Sequence, residues 1–258
     1  MAETTVGWSV SDSLTMVERS LLHTRRSIES MLVAFLLPIM LLLIFTYLFG
    51  GAIQTGTPQY VTYVVPGVII LSAGYGASMT AVSVVNDLTN GIVERFRSMA
   101  IASSTMLTGH VVASSVRNLV ATALVISVAF IMGFRPQAGP LEWLAVAGIV
   151  LLYVLALSWL SAAMGMVART PEGASGFTFF MLFAPYVSSA FVPIETMPSV
   201  LHPIAENQPI TPLIESVRGL LTGEPIGNTG WIAFAWCVGI LLVSYVIART
   251  LFTRRTAK

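Results

Sequence analysis

Long uncharged apolar stretches alternate with short polar connections along almost the whole chain. A helix crosses the hydrocarbon of a bilayer with about 20 mostly apolar residues. Six stretches are read as such crossings: 31–49, 60–85, 119–133 with a polar lead-in at Arg117 and Asn118, 143–168, 174–194 and 231–248. Each must be helical, because no unpaired backbone group can face lipid. The stretches are rich in Leu, Val and Ile without period-two alternation, which argues against a barrel. About 30 residues, including Arg19, Arg25 and Arg26, precede the first stretch and no clean cleavage site follows it. It is therefore expected to be a retained span and not a signal peptide. The expected fold is all-α: a polytopic membrane protein with an arm at 1–30, a six-helix transmembrane region at 31–252 and a tail at 253–258.

Composition supports this pattern. Of 258 residues, 55% are hydrophobic and only 10% are charged, whereas soluble domains average about 25% charged. Lysine and arginine favour the cytoplasmic side. Eleven of the thirteen fall in the arm, in the connections after the second and fourth stretches, or in the tail, and only Arg135 and Arg218 fall on the other side. Both chain ends are expected in the cytoplasm.

Three connecting segments carry the remaining information. In the arm, Leu14, Val17, Leu21 and Ile28 recur near helical spacing, while Glu18, Arg19, Arg25 and Arg26 fill other faces. This suits a basic amphipathic helix on the cytoplasmic membrane surface, preceded by Ser11 or Asp12 as a cap; a plain positive flank is the alternative. In the inner connection 86–110, Asn90 and Gly91 read as a helix entry. Ile92, Phe96 and Met99 then share a face, and Glu94 and Arg97 are spaced for an ion pair. Such a helix suits either docking on another protein or lying on lipid. The outer segment 195–230 holds Glu195, Glu206, Glu215 and Glu224 and is broken by five prolines. Thr211-Pro212 reads as a cap followed by proline at the first helical position. Leu213, Ile214, Val217, Leu220 and Leu221 form an apolar stripe, and Gly223 reads as its stop. A small re-entrant helical cap is expected there.

Much chemistry is excluded. A phosphate-binding P-loop needs a lysine, and the single lysine is Lys258. His23, His110 and His202 are scattered, with no metal-binding spacing, and Cys237 stands alone in an apolar run. The cores of the six stretches, bounded as above, contain no charged residue, which weighs against intramembrane enzymes and proton-coupled carriers.

Taken together, these features resemble the membrane subunit of ABC exporters of the type-2 permease family, over nearly the whole chain. The arm with Arg25 and Arg26 precedes a first span containing Leu36-Leu37-Pro38 and ending in Leu48-Phe49-Gly50. The family's inner Gly-x-x-Glu-Arg-Leu pattern is matched by Gly91, Glu94, Arg95 and Phe96, with Phe in place of Leu. Its outer Asn-Pro-Leu-Thr-Pro-like stretch, leading into a helix with an arginine, is matched by Asn207, Pro209, Thr211, Pro212 and Arg218, with one extra residue after the Asn. The look is closest to daunorubicin-resistance exporters.

The resemblance implies a permease that moves a lipophilic drug, lipid or glycoconjugate outward by alternating access, in the bacterial cytoplasmic membrane. Two permease subunits, identical or different, would pair on two copies of a separate ATPase, which alone would hold ATP and magnesium. Coupling would run through Gly91, Ile92, Glu94, Arg95, Phe96, Arg97 and Met99 with Arg25 and Arg26. The second and fifth spans would line the path, with Tyr75, Met79, Phe180, Phe183 and Tyr186 as candidate contacts; helix packing is the simpler role for each. A membrane scaffold or assembly factor and an ion-coupled carrier are the alternative functions.

Overall fold

The computed structural model describes residues 28–53, 55, 59–91 and 103–256. The arm before Ile28 and the inner segment 92–102 lie outside them. Among the described residues the regular structure is helical throughout. The first helix, α1 (Ile28–Leu43), contains Pro38 and continues as one π-helical piece, Ile44–Phe49. Four long apolar helices follow: α2 (Tyr60–Thr89), α3 (Ser103–Ile131), α4 (Pro140–Val167) and α8 (Thr229–Thr256). These four are long and apolar enough to cross a membrane. The apolar stretch of the first helix, Phe35–Phe49, is shorter. The fifth apolar run folds as α5 (Pro171–Phe183), a 3-10 piece at Ala184–Val187, and then turns.

Helix α2 is the axis of the molecule. It packs against α1, α3, α4, α5 and the outer helix α7 (Ile210–Thr222). Its Val64, Val65, Val68, Ile69, Ile70 and Leu71 are wholly buried. Close approach is possible because small residues line the contacts. Gly165 of α4 lies where a Cβ would sit 2.5 Å from the Ala81 carbonyl oxygen, and Gly67 faces Ala190 at the same distance. Without a hydrophobic drive between helices in lipid, such backbone contact supplies the packing energy. The faces turned away from α2 are apolar and exposed, as lipid contact requires: Leu141, Leu144, Trp231, Val243 and Val246 are examples. Trp159 meets Tyr245 edge-on at 4.8 Å between α4 and α8.

Asn90 and Gly91 close α2; the helix expected after them falls in 92–102, outside the described residues. The Asn90 N–H still reaches the Asn86 carbonyl, and Gly91 takes the left-handed conformation (φ +67°) that ends helices. Two local expectations need correction. First, α3 begins at Ser103, so Arg117 is the midpoint of a 29-residue helix and not the edge of a loop. Last, α7 starts at Ile210 with Pro209 as its N-cap. Thr211 lies inside the helix, and its hydroxyl donates to the Ala205 carbonyl at 2.6 Å. Proline at the third helical position is tolerated because no intrahelical acceptor awaits its missing N–H.

Candidate functional site

At the inner end of the bundle, a side-chain link joins the helices that flank 92–102. The ring Nε2 of His110 on α3 lies 3.0 Å from the Asp87 carboxylate on α2. With Gly91 ending α2, this link fixes the two stems of the inner connection. Of the expected coupling residues, Gly91 is the one described. Ile92, Glu94, Arg95, Phe96, Arg97, Met99, Arg25 and Arg26 lie outside the described residues.

Of the five candidate path residues, Phe183 and Tyr186 meet and the other three differ in burial. Tyr75 is buried among the helices and Met79 is half-buried. Phe180 and Phe183 stand exposed on α5, and Tyr186 is half-buried beyond it. The aromatic residues form a group of their own at the outer end. Phe183 meets Tyr186 at 5.7 Å, Tyr186 stacks on Phe191 at 4.8 Å, and Phe191 stacks on Phe45 of the first helix at 4.1 Å. Apolar spacing within a run carries no sign of a partner 146 residues away, so the part of Phe45 in this group was not legible in the sequence.

The outer cap is built as its amphipathic pattern requires. Ile210, Leu213, Ile214, Val217 and Leu221 are buried against α2, α4 and α8. Gly223 ends α7 at φ +78°, where its N–H returns to the Gly219 carbonyl. The short helix α6 (His202–Asn207) precedes α7, and the Asn207 amide donates to the Pro203 carbonyl at 2.8 Å. The Leu221 carbonyl accepts from the Gln137 N–H at 2.9 Å, which ties the cap to the α3–α4 connection.

Arg218 is the hub of this region. Its guanidinium lies 3.8 Å from the centroid of the Tyr63 ring. It donates to the Ser189 carbonyl at 2.5 Å and to the Tyr63 carbonyl at 3.4 Å. One side chain thus holds together the cap, the outer end of α2 and the turn after α5. Beside it is a cavity of about 330 Å³ lined by Glu195, Glu215, Glu224, Tyr63, Ser189 and Arg218 among others. Burial pushes the Glu215 carboxyl above the usual carboxylate range, and the nearby Arg218 opposes that shift. Burial also lowers Arg218, although a guanidinium stays charged at any physiological pH. Arg218 was singled out in the sequence; Tyr63 was not, because an aromatic residue at the start of an apolar run reads as packing.

Comparison with known proteins bears on what this architecture does. The model of the family described as "ABC-2 type transporter" matches residues 12–222. The chain is 29% identical over 235 residues to the daunorubicin resistance ABC transporter permease protein DrrB1 of Streptomyces coeruleorubidus, covering 91% of this chain and 80% of that one. It is 21% identical over 238 residues to the probable doxorubicin resistance ABC transporter permease protein DrrC of Mycobacterium tuberculosis, covering 92% and 86%.

Proposed function

The chain belongs to the ABC-2 type transporter family, and from that premise we propose that it is the membrane-spanning subunit of an ATP-driven exporter of lipophilic compounds. The observation that carries this reading is the family match over 12–222, which takes in the inner connection, the outer cap and every apolar run but the last. The drug-resistance names of the relatives favour a lipophilic drug as substrate over a polymer.

In this reading the chain crosses the membrane six times. The first helix with its π piece runs from Ile28 to Phe49, and α5 with its 3-10 piece runs from Pro171 to Val187. A run of about 17 residues is the lower end of what spans a bilayer. The polar turns beyond Val187 would then lie at the outer surface beneath the cap. With Arg117 counted as a membrane residue, ten positive residues stay inside and two outside, which still favours cytoplasmic ends. A pair of permeases would sit on two ATPase subunits, and the chain itself would hydrolyse no ATP. The inner segment after Gly91 would receive the ATPase movement and pass it to α2 and α3, whose ends the Asp87–His110 link ties together. Substrate would leave past the aromatic group of α5 and the first helix.

The coupling role has a direct test. An apolar anchor buried at an interface costs more than about 1 kcal/mol when truncated, whereas rim charges mostly cost less. Phe96→Ala is expected to lower ATP-driven transport and recovery of the ATPase more than Arg97→Ala does, at matched membrane abundance. If Phe96→Ala transports and copurifies like the parent, the segment lies on lipid and does not couple.

A further inference from the structure

Arg117 is a charged residue far from both ends of its helix, and the transport reading leaves it without a task. It lies at the midpoint of α3, roughly 20 Å from either helix end at 1.5 Å per residue. One Nη donates to the Gly76 carbonyl at 3.0 Å, in the middle of α2. That acceptor is neutral, and the Arg117 Nε is buried with no hydrogen-bond partner. No Asp or Glu occurs in 31–86, 95–141, 143–171, 173–194 or 225–258. Neither this chain nor a second copy can therefore bring a carboxylate from a neighbouring span to that depth. A cation buried at mid-helix without a counter-charge is costly and, where that helix crosses a membrane, marks a function.

The surroundings specify what completes it. Next to Arg117, the wholly buried Asn118 keeps its Oδ1 unpartnered. Its amide donates to the Ser114 carbonyl at 2.8 Å, and Ser114 accepts from Ser158 of α4 at 3.0 Å. One helical turn to either side of Gly76 on α2, and one turn beyond Asn118 on α3, Ser72, Thr80 and Thr122 also have buried hydroxyls without partners. On its other side Arg117 borders an exposed apolar strip of Val116, Leu119, Val120 and Leu124. Donors without acceptors, namely the Arg117 Nε and the Ser72, Thr80 and Thr122 hydroxyls, thus lie along α2 and α3 beside a surface suited to hydrocarbon.

We infer that Arg117 and the α2–α3 seam bind the anionic oxygen group of an amphiphile, a carboxylate or phosphate, whose hydrocarbon chain lies along the α3 strip. The ligand is an amphiphile and not a free ion because inorganic anions do not partition to this depth, while an acyl chain brings its headgroup with it. The inference rests on α3 spanning the membrane and not on ATP coupling.

The test uses the permease with its ATPase subunit in nanodiscs of phosphatidylcholine without ATP, and measures binding of radiolabelled palmitate and its methyl ester. The parent is expected to prefer the acid at least about tenfold. Arg117→Gln is expected to abolish that preference while leaving ester binding unchanged, and Arg117→Lys to retain most of it. Equal binding of acid and ester by the parent, which needs no variant to fold, would overturn the site, as would an undiminished preference in Arg117→Gln. Adding phosphatidylglycerol separates the sources: displacement of palmitate identifies a resident lipid phosphate, and its failure to displace identifies a carboxylate amphiphile. Because binding is read without ATP, loss of the site leaves the transport reading standing, and failed transport leaves the site standing.

Discussion

Replacing Arg218 with methionine is expected to loosen the outer end of the protein and lower its thermal midpoint in detergent by several degrees. Two backbone carbonyls, of Tyr63 and Ser189, lose a charged donor, and the Tyr63 ring loses the guanidinium above it. Hydrogen bonds to charged groups contribute about 1.5–3 kcal/mol each, and a partly desolvated cation–ring contact about 1 kcal/mol. Arg218 itself is only partly buried, so a net loss of about 2–4 kcal/mol is expected. Methionine keeps the aliphatic packing and removes the donors, so the loss reports the polar tether. Lysine is expected to recover less than half, because one ammonium cannot reach both carbonyls and cover the ring. Limited proteolysis gives a second readout: cleavage within 195–209 is expected to accelerate in Arg218→Met. An unchanged midpoint and cleavage rate would mean that the cap is held by its apolar stripe alone.

Gly67→Val is expected to be more damaging still. A Cβ at this position would lie 2.5 Å from the Ala190 carbonyl oxygen and 2.8 Å from its Cα. These are backbone atoms, so no rotamer change relieves the clash. Overpacking in a close-packed interior costs about 1–3 kcal/mol, and more when backbone must shift. Here the displaced backbone is the turn that Arg218 holds, so the damage spreads to the cap. Monodisperse protein recovered from membranes is expected to fall several-fold. Gly148→Val on α4, where nothing lies within 4 Å of an added Cβ, is the control and is expected to match the parent. Equal recovery of both variants would contradict the close contact between α2 and the outer turn.

These two sites also mark how far the sequence could be read. The long apolar runs of α2, α4 and α8 are legible from hydropathy because lipid solvation demands it. Their ends are not. A scan for uncharged residues stops at Val85, but α2 continues through Asn86 and Asp87 to Thr89, since polar side chains at the interface do not interrupt backbone hydrogen bonding. The same scan took Arg117 for a loop residue. A guanidinium can stay at mid-helix when a carbonyl such as that of Gly76 faces it, and hydropathy has no access to that partner. The run 174–194 failed in the other direction. It is uncharged throughout, yet after Pro185 it turns, with Ser188 donating to the Pro185 carbonyl and its own backbone extended. In the cap, the stripe from Leu213 to Leu221 and the stop at Gly223 were legible from 3.6-residue spacing and glycine's freedom at positive φ. The grip of Arg218 on Tyr63 and Ser189 was not, because it joins residues 155 and 29 positions apart.

The charge of Arg117 also refines the case against a proton-coupled carrier. The apolar stretches as the sequence bounds them carry no charged residue, yet α3 holds Arg117 at its midpoint. It does not help that alternative, because arginine keeps its proton throughout the physiological range. A pump driven by protons needs a group that titrates.

The most direct measurement is transport in inside-out membrane vesicles carrying this chain with or without a separately encoded ABC ATPase subunit. Uptake of a fluorescent anthracycline is followed after ATP is added, with a protonophore present to remove ion gradients. The expected result is ATP-dependent uptake that requires both subunits, survives the protonophore and disappears when the ATPase subunit is catalytically disabled. Uptake that proceeds with this chain alone, or that collapses with the proton gradient while ATP remains, would contradict it.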